Sequence, residues 1–118
     1  MKAEIRMKLP SCNEYINECR RNRFAGAKMK TETEEQIGIF IAPLPTFTSP
    51  VWIDFVWIES NRRRDLDGIA FGKKFILDAL VKYGKLKDDN SQCVIGFSDS
   101  FAYGKETMVI IDITEAER

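Results

Sequence analysis

Apolar and charged residues alternate along the first nine positions of the chain, from Met1 to Leu9. A period of two is typical of a β-strand that buries one face and exposes the other. Pro10 follows directly, and because proline has no backbone N–H it ends the predicted strand. A second strand is predicted at 51–58, where aromatic and β-branched residues follow one another.

The remaining segments predict two helical regions and two further strands. Ser11 or Asn13 can cap a helix that begins near Glu14. The stretch 14–42 is helical in character, and Gly26 is a candidate break within it. A second helix is predicted at 68–83, because apolar residues recur there along one stripe before a glycine. Strands are predicted at about 92–98 and 106–114, joined by a Ser/Asp/Gly-rich connection, and we expect them to be antiparallel.

The order of these elements, β-α-β-α-β-β, predicts an α+β fold in which two helices cover a small mixed sheet. The 118 residues suit a single domain that spans 1–118. No apolar run approaches the roughly 18–20 residues of a membrane span, and the N-terminus lacks a signal-peptide pattern. The sequence therefore predicts a cytoplasmic protein without a membrane partner.

Charge is balanced over the whole chain but not along it. The 18 basic and 18 acidic residues sum to zero, which counts against a global attraction to nucleic acid. Residues 61–87 nevertheless hold eight basic and three acidic side chains, a local excess of five positive charges. A second basic block comprises Arg20, Arg21, Arg23, Lys28 and Lys30. Local patches such as these are what contacts to phosphate require.

The chain contains no histidine, which removes several kinds of catalytic site. Ser-His-Asp and Cys-His catalysis and histidine-ligated zinc are all excluded. The three cysteines are odd in number and form no C-x-x-C pair, so reduced thiols are predicted. Any hydrolytic chemistry must therefore come from carboxylates, lysine or a metal-activated water.

Acidic residues flank the second predicted helix, and lysines lie within it. Asp65 and Asp67 precede the helix, Asp89 follows it, and Lys73 and Lys74 lie between them. Carboxylates that converge from separate elements bind divalent cations, and nearby lysines attract phosphate. The same residues also suit ordinary roles as a helix cap, a solvated turn and exposed helix lysines. Their joint occurrence favours a metal-dependent phosphodiesterase.

Several segments together carry a family signature. They are Arg-Asp-Leu-Asp at 64–67, Lys-Lys-Phe-Ile-Leu-Asp-Ala-Leu at 73–80 and Leu-Lys-Asp-Asp-Asn-Ser-Gln at 86–92. The opening Leu-Pro-Ser-Cys-Asn-Glu-Tyr-Ile at 9–16 and a basic stretch ending at 27–30 accompany them. In this order and spacing they resemble the RusA family of Holliday junction resolvases, and most closely its phage- and prophage-borne members.

The resemblance implies a homodimeric, Mg²⁺-dependent endonuclease, with Mn²⁺ as a substitute metal. Such an enzyme resolves four-way DNA junctions by symmetric paired nicks, in recombination and repair. Catalytic and metal-binding roles are implied for Asp65, Asp67 and Asp89. A catalytic role is implied for Lys74, counted back from the second half of the helix, while Lys73 stays open as an alternative.

Basic residues are expected to hold the arms of the junction through phosphate contacts, which position DNA rather than read its sequence. The expected DNA-binding residues are Arg62, Arg63, Arg64, Lys73, Arg20, Arg21 and Arg23. A departure from the family pattern is Gly68, where the family often has asparagine. Two other functions stay open: a branched-DNA-binding protein without catalysis, and a small metal-binding domain that acts in protein interaction.

Overall fold

The structure is a computed structural model that describes residues 1–116. Within that range the strands are β1 (Lys2–Ile5), β2 (Val51–Glu59), β3 (Val94–Tyr103) and β4 (Met108–Glu115). The helices are α1 (Cys12–Arg21), α2 (Arg23–Ile41), α3 (Leu66–Ala70) and α4 (Lys73–Lys82). None of these helices is long and apolar enough to cross a membrane.

The four strands form one mixed sheet in the order β1-β4-β2-β3. β4 is antiparallel to both of its neighbours, whereas β2 and β3 are parallel. The predicted α+β class with a mixed sheet is thereby confirmed. β3 and β4 run in opposite directions, as expected, but they do not pair because β2 lies between them. A central position suits β2 because it is the most apolar strand and is shielded there along both edges.

The core lies on one face of the sheet, under the helices. Alternate residues of β2, from Val51 through Ile53 and Phe55 to Trp57, are buried, as a strand with one covered face requires. Apolar side chains of α2 and α4 pack against them; the fully buried ones are Ile37, Ile41, Phe75, Ile76, Ala79 and Leu80. The intervening β2 side chains on the opposite face are exposed or half-buried.

The first helical region is divided at Asn22, four residues before the predicted break at Gly26. Asn22 caps α2, since its Oδ1 accepts hydrogen bonds from the N–H groups of Phe24 and Ala25 at 2.9 and 2.8 Å. Gly26 instead permits close packing of the two helices. A Cβ placed there would lie 2.4 Å from Cys19 Sγ. The glycine is therefore needed for a contact rather than for a turn.

The second helical region is also divided, into the short α3 and the longer α4. Gly72 lies at the junction, and a Cβ at this position would come within 2.9 Å of Leu9 Cδ1. Ser11, two residues beyond Leu9, begins α1 with a capping box in which its hydroxyl accepts from Glu14 N–H. The β1–α1 connection thus packs directly against the α3–α4 junction, which brings the predicted site residues next to the start of α1.

Candidate active site

Asp65 and Asp67 lie in one cavity of about 310 Å³ at the start of α3, which we call the Asp65 cavity. Its lining residues are Ser11, Cys12, Asn13, Arg63, Arg64, Asp65, Asp67 and Gly68. Asp65 is the N-cap residue of α3, yet its side chain makes no capping hydrogen bond. Asp67 Oδ1 accepts from Gly68 N–H at 2.9 Å. Within residues 1–116 neither carboxylate has an ion-pair partner, so both offer oxygen ligands to a cation.

Arg64 forms the wall of this cavity and is held in place by three hydrogen bonds. Its Nε and Nη2 donate to the two carboxylate oxygens of Glu59 at 2.8 and 2.9 Å. Its Nη1 donates to the carbonyl oxygen of Leu9 at 2.9 Å. The side chains of Arg64 and Glu59 are only 15% and 7% exposed. This arrangement ties the end of β2 to the β1–α1 connection and fixes the position of Asp65, which follows Arg64 directly.

Asp89 lies in a different cavity, of about 320 Å³, which we call the Asp89 cavity. Its lining residues are Lys30, Glu34, Asp78, Val81, Lys82 and Asp89. Because none of these residues lines the Asp65 cavity, the chain does not bring the three predicted aspartates together. Within residues 1–116 no group of three histidine, cysteine, aspartate or glutamate side chains is close enough to hold a metal ion.

The other carboxylates of the Asp89 cavity are neutralised by lysines. The Glu34 side chain is buried. Its Oε2 lies 2.8 Å from Lys30 Nζ, and its Oε1 lies 3.9 Å from Lys82 Nζ. Among residues 1–116 no hydrogen-bond donor is well aligned with that Oε2, so the close Lys30 contact acts chiefly as an ion pair. The Glu34 carboxylate, aided by Asp78 3.4 Å away, raises the pKa of Lys30 despite its partial burial. These charges form a closed network that stabilises the packing of α2 on α4.

Lys73 and Lys74 differ sharply in their surroundings. Lys73 Nζ donates to Asp99 Oδ2 at 2.6 Å and lies 3.8 Å from the centre of the Phe97 ring. The other Asp99 oxygen accepts from Trp57 Nε1 at 2.8 Å. The side chain of Lys74 is 48% exposed, and its one ion-pair partner within residues 1–116 is the carboxylate of Asp78, at 3.6 Å. Lys73 is therefore held against β3 by Asp99 and Phe97, whereas the ammonium group of Lys74 lies at the surface.

The remaining arginines predicted to bind DNA are placed on two surfaces. Arg62 stacks on Tyr103, with its guanidinium carbon 3.9 Å from the ring centre, and Arg63 lines the Asp65 cavity. Arg20, Arg21 and Arg23 lie at the α1–α2 junction, where all three are exposed. Arg21 pairs with a glutamate of its own helix at 3.4 Å.

Two features of the Asp65 cavity were not predicted from the sequence. Ser11, Cys12 and Asn13 line it, although the sequence assigned to this segment only a helix cap and a family match. Glu59, at the end of β2, holds Arg64. No local pattern identifies a glutamate at a strand end as the partner of an arginine five residues later, because the contact depends on how the loop folds back.

A comparison with protein-family models and with characterised proteins finds no match to this chain.

Proposed function

We propose that this protein is a Mg²⁺-dependent, structure-specific endonuclease that resolves four-way DNA junctions by symmetric paired nicks, as the RusA-like sequence segments imply. Mn²⁺ is expected to substitute for Mg²⁺, and the active species is a homodimer acting in recombination and repair. The observation that carries the proposal is the pair of carboxylates in the Asp65 cavity, Asp65 and Asp67, neither of which has an ion-pair partner within residues 1–116. Oxygen ligands of this kind suit Mg²⁺.

The residues around the cavity suit hydrolysis of a phosphodiester. Asp65 and Asp67 would hold the cation, and when bound it would supply an activated water as nucleophile. Arg63 at the rim would hold a DNA phosphate, since its guanidinium is not taken up by an ion pair within residues 1–116. Arg64 instead serves to position Asp65, because all its hydrogen bonds go to Glu59 and Leu9.

Lys74 is the better candidate for the catalytic lysine. Its ion pair with Asp78 is long and exposed, and such pairs contribute little and exchange readily. A free ammonium can offset the negative charge that builds up on the phosphoryl group in the transition state. Lys73 is held by Asp99 and by the face of Phe97, so moving it to a phosphate would break several contacts.

The same geometry supports one alternative, a branched-DNA-binding protein without catalysis. Asp89 is separated from Asp65 and Asp67 in the chain, and two carboxylates hold Mg²⁺ more weakly than three. Asp89 can take part in the site only if a second copy supplies it. The two functions differ in whether DNA is cut, and binding alone does not distinguish them.

The deciding experiment is a cleavage assay on a synthetic four-way junction, with and without Mg²⁺. We expect paired nicks from the wild type, loss of nicking in Asp65→Asn and Asp89→Asn, and retained junction binding in both. Asp88→Asn is the matched control: Asp88 neighbours Asp89, and its carboxylate accepts hydrogen bonds from Asp89 N–H and Asn90 Nδ2 of the same turn. Binding without nicks in the wild type would establish the non-catalytic alternative.

The ranking of the two lysines is tested in the same assay. Lys74→Ala should lose more cleavage rate than Lys73→Ala, because Lys74 is free to reach a phosphate. Lys73→Ala should instead lower thermal stability, since it leaves the Asp99 carboxylate without its counter-charge. The reverse ranking in rate would assign the catalytic role to Lys73.

A further inference from the structure

A cavity of about 560 Å³ lies between α1 and α2, and we call it the Phe24 cavity. α2 lines it with one face, since Ala25, Met29 and Thr33 recur at intervals of four residues beside Phe24. Pro10, in the connection between β1 and α1, lines it as well. These residues line neither the Asp65 cavity nor the Asp89 cavity. The Phe24 cavity is therefore separate from both carboxylate cavities.

Phe24 exposes an aromatic ring at this cavity. The residue is 68% exposed, whereas Phe55 and Phe75 of the core are fully buried. The guanidinium carbon of Arg23 lies 4.7 Å from the centre of the Phe24 ring, within the range of a cation–π contact. Because the core does not bury this ring, packing does not explain its presence. Exposed aromatic rings next to arginine are surfaces on which unpaired bases of nucleic acids stack.

The free charge around the cavity is positive. The two carboxylates of its lining are paired with the lining residues Arg21 and Lys28, at 3.4 and 3.9 Å. Arg20 and Arg23, both exposed at the α1–α2 junction, have no ion-pair partner in the part of the chain that the structure describes. Guanidinium groups bind phosphate through paired, charge-assisted hydrogen bonds. The surroundings of the Phe24 ring therefore suit a polyanion.

Thr33 adds a polar group to the cavity. It is 6% exposed and is the one buried residue of the lining within residues 1–116. A threonine hydroxyl both donates and accepts hydrogen bonds, so it can contact either kind of group on the edge of a base. The lining thus combines an aromatic ring, a buried hydroxyl and nearby free guanidinium groups. A nucleotide has the complementary parts: a flat apolar face, a polar edge and a phosphate.

We propose that the Phe24 cavity holds a single nucleobase turned out of the DNA, stacked on Phe24 and contacted along its edge by Thr33. Arg20 and Arg23 hold the phosphates beside that base. Turning a base out of the stack costs least where pairing is already interrupted. The branch point of a four-way junction is therefore the favoured source of the base. The inference rests on the DNA binding of the proposed function and not on cleavage.

The Phe24 cavity also adjoins the candidate active site along the chain. Pro10 lines the Phe24 cavity, and Ser11, the next residue, lines the Asp65 cavity. The two cavities therefore meet at the residues that begin α1. A DNA strand that passes this point brings a phosphate to the carboxylates and a nearby base to Phe24. The base that fits then decides which phosphate is presented for cleavage.

Equilibrium binding of the full chain to a synthetic four-way junction, measured by fluorescence anisotropy in EDTA, tests the stacking. Phe24→Ala should weaken junction binding about tenfold, and Phe24→Trp should retain it, because either aromatic ring stacks on a base. Ile39→Ala is the matched control, since Ile39 is 73% exposed on the same helix and does not line the cavity. A fully paired linear duplex should be bound equally by wild type and Phe24→Ala. Unchanged junction binding in Phe24→Ala, equal losses on both DNAs, or no DNA binding by the wild type would overturn the proposal.

The salt dependence of binding separates stacking from phosphate contact. Phe24→Ala should leave the slope of log Kd against log salt concentration unchanged, because a stacked ring releases no counterion from DNA. Arg20→Ala should lower that slope by about one, because it removes one phosphate contact. A lowered slope in Phe24→Ala would show that the ring supports phosphate contacts instead, and the base site would be refuted.

Photocross-linking locates the base directly. A junction with 5-iododeoxyuridine at the branch point should cross-link to a peptide that contains Phe24, as identified by mass spectrometry. Thr33→Val removes the hydroxyl at nearly constant size and should reduce the differences in affinity among the four bases at that position. Cross-links confined to other peptides, or an unchanged base preference in Thr33→Val, would contradict the arrangement. A protein that passes these tests but does not cut junctions in Mg²⁺ would refute the nuclease proposal and leave the base site intact.

Discussion

The Asp65 cavity and the Asp89 cavity are similar in size and both contain carboxylates, but their charges are organised differently. In the Asp89 cavity, Glu34 and Asp78 are each in contact with lysines. In the Asp65 cavity the guanidinium of Arg64 is already paired with the carboxylate of Glu59. Asp65 and Asp67 both line the Asp65 cavity, and within residues 1–116 neither has an ion-pair partner.

This difference separates a structural cavity from a candidate functional one. Neutralised carboxylates contribute to stability and gain little from an added cation. Adjacent carboxylates without a counter-ion repel each other, so a divalent cation binds them with a larger gain. Carboxylates without an ion-pair partner are therefore available to a bound cation, whereas the neutralised ones serve the packing of the fold. The contrast can be tested by changing one charge at a time in each cavity.

The largest effect is expected on cation binding. Asp65→Asn combined with Asp67→Asn should weaken Mn²⁺ binding on the order of 100-fold, because both oxygen ligands are lost. Asp78→Asn should change it by less than about twofold, because Asp78 already pairs with lysines. Isothermal titration calorimetry of the three proteins measures the difference. Equal losses from both cavities would show that charge balance does not separate them.

An effect of comparable size concerns the wall of the Asp65 cavity. Arg64→Ala should lower the free energy of unfolding by about 3 kcal/mol, because it leaves the Glu59 carboxylate buried without a partner. Arg63→Ala, at the neighbouring exposed position, should change it by no more than about 0.5 kcal/mol. Urea denaturation measures both values. Similar values for the two variants would mean that Arg64 is not the element that holds the loop.

Removing the charge of one carboxylate should change the free energy of unfolding by a smaller amount. The change should have opposite signs in the two cavities. Glu34→Gln should lower the free energy of unfolding by about 1–2 kcal/mol, because a buried ionic contact with Lys30 is lost. Asp65→Asn should leave stability unchanged or raise it by up to about 0.5 kcal/mol, because repulsion from Asp67 is relieved. Thermal unfolding of both variants tests the signs. A marked loss in Asp65→Asn would assign Asp65 a structural role.

The smallest effect concerns Asp54, a carboxylate stabilised by neutral donors rather than by charges. Hydrogen bonds from Ser98 Oγ and Trp52 Nε1 lower the pKa of Asp54 below its ordinary 3.8. A lowered pKa contributes stability that is present above about pH 3.8 and is lost as the pH falls through the folded-state value. Ser98→Ala should raise the pKa of Asp54 in an NMR titration. An unchanged titration would show that the Ser98 bond does not hold the ionised form.

Much of the fold follows from local sequence patterns. The β2 strand was predicted because its alternate apolar residues can be buried only on one face, and the structure buries Ile53, Phe55 and Trp57 there. Ser11 was one of two predicted caps, and its capping box involves residues only three apart. Asp65 and Asp67 are two residues apart, so their proximity was also expected. These features depend on neighbours along the chain, which the sequence displays directly.

Other features depend on contacts between distant segments. The sequence did not predict three of these features: the break at Asn22, the position of β2 between β3 and β4, and the separation of Asp89 from Asp65. Arg64 was expected to bind DNA, yet it spans 55 residues of sequence to hold the Leu9 carbonyl. Local patterns do not specify such contacts, because they arise when separate elements pack on the same core.

The sequence by itself determined the class of the fold, the buried strand and the candidate chemistry: carboxylates and lysines without histidine. Tertiary structure alone decided which carboxylates share a cavity and which are neutralised. The reason is physical. Periodicity and residue type act over a few neighbouring positions, whereas the balance of charge in a cavity is set by side chains that only folding brings together.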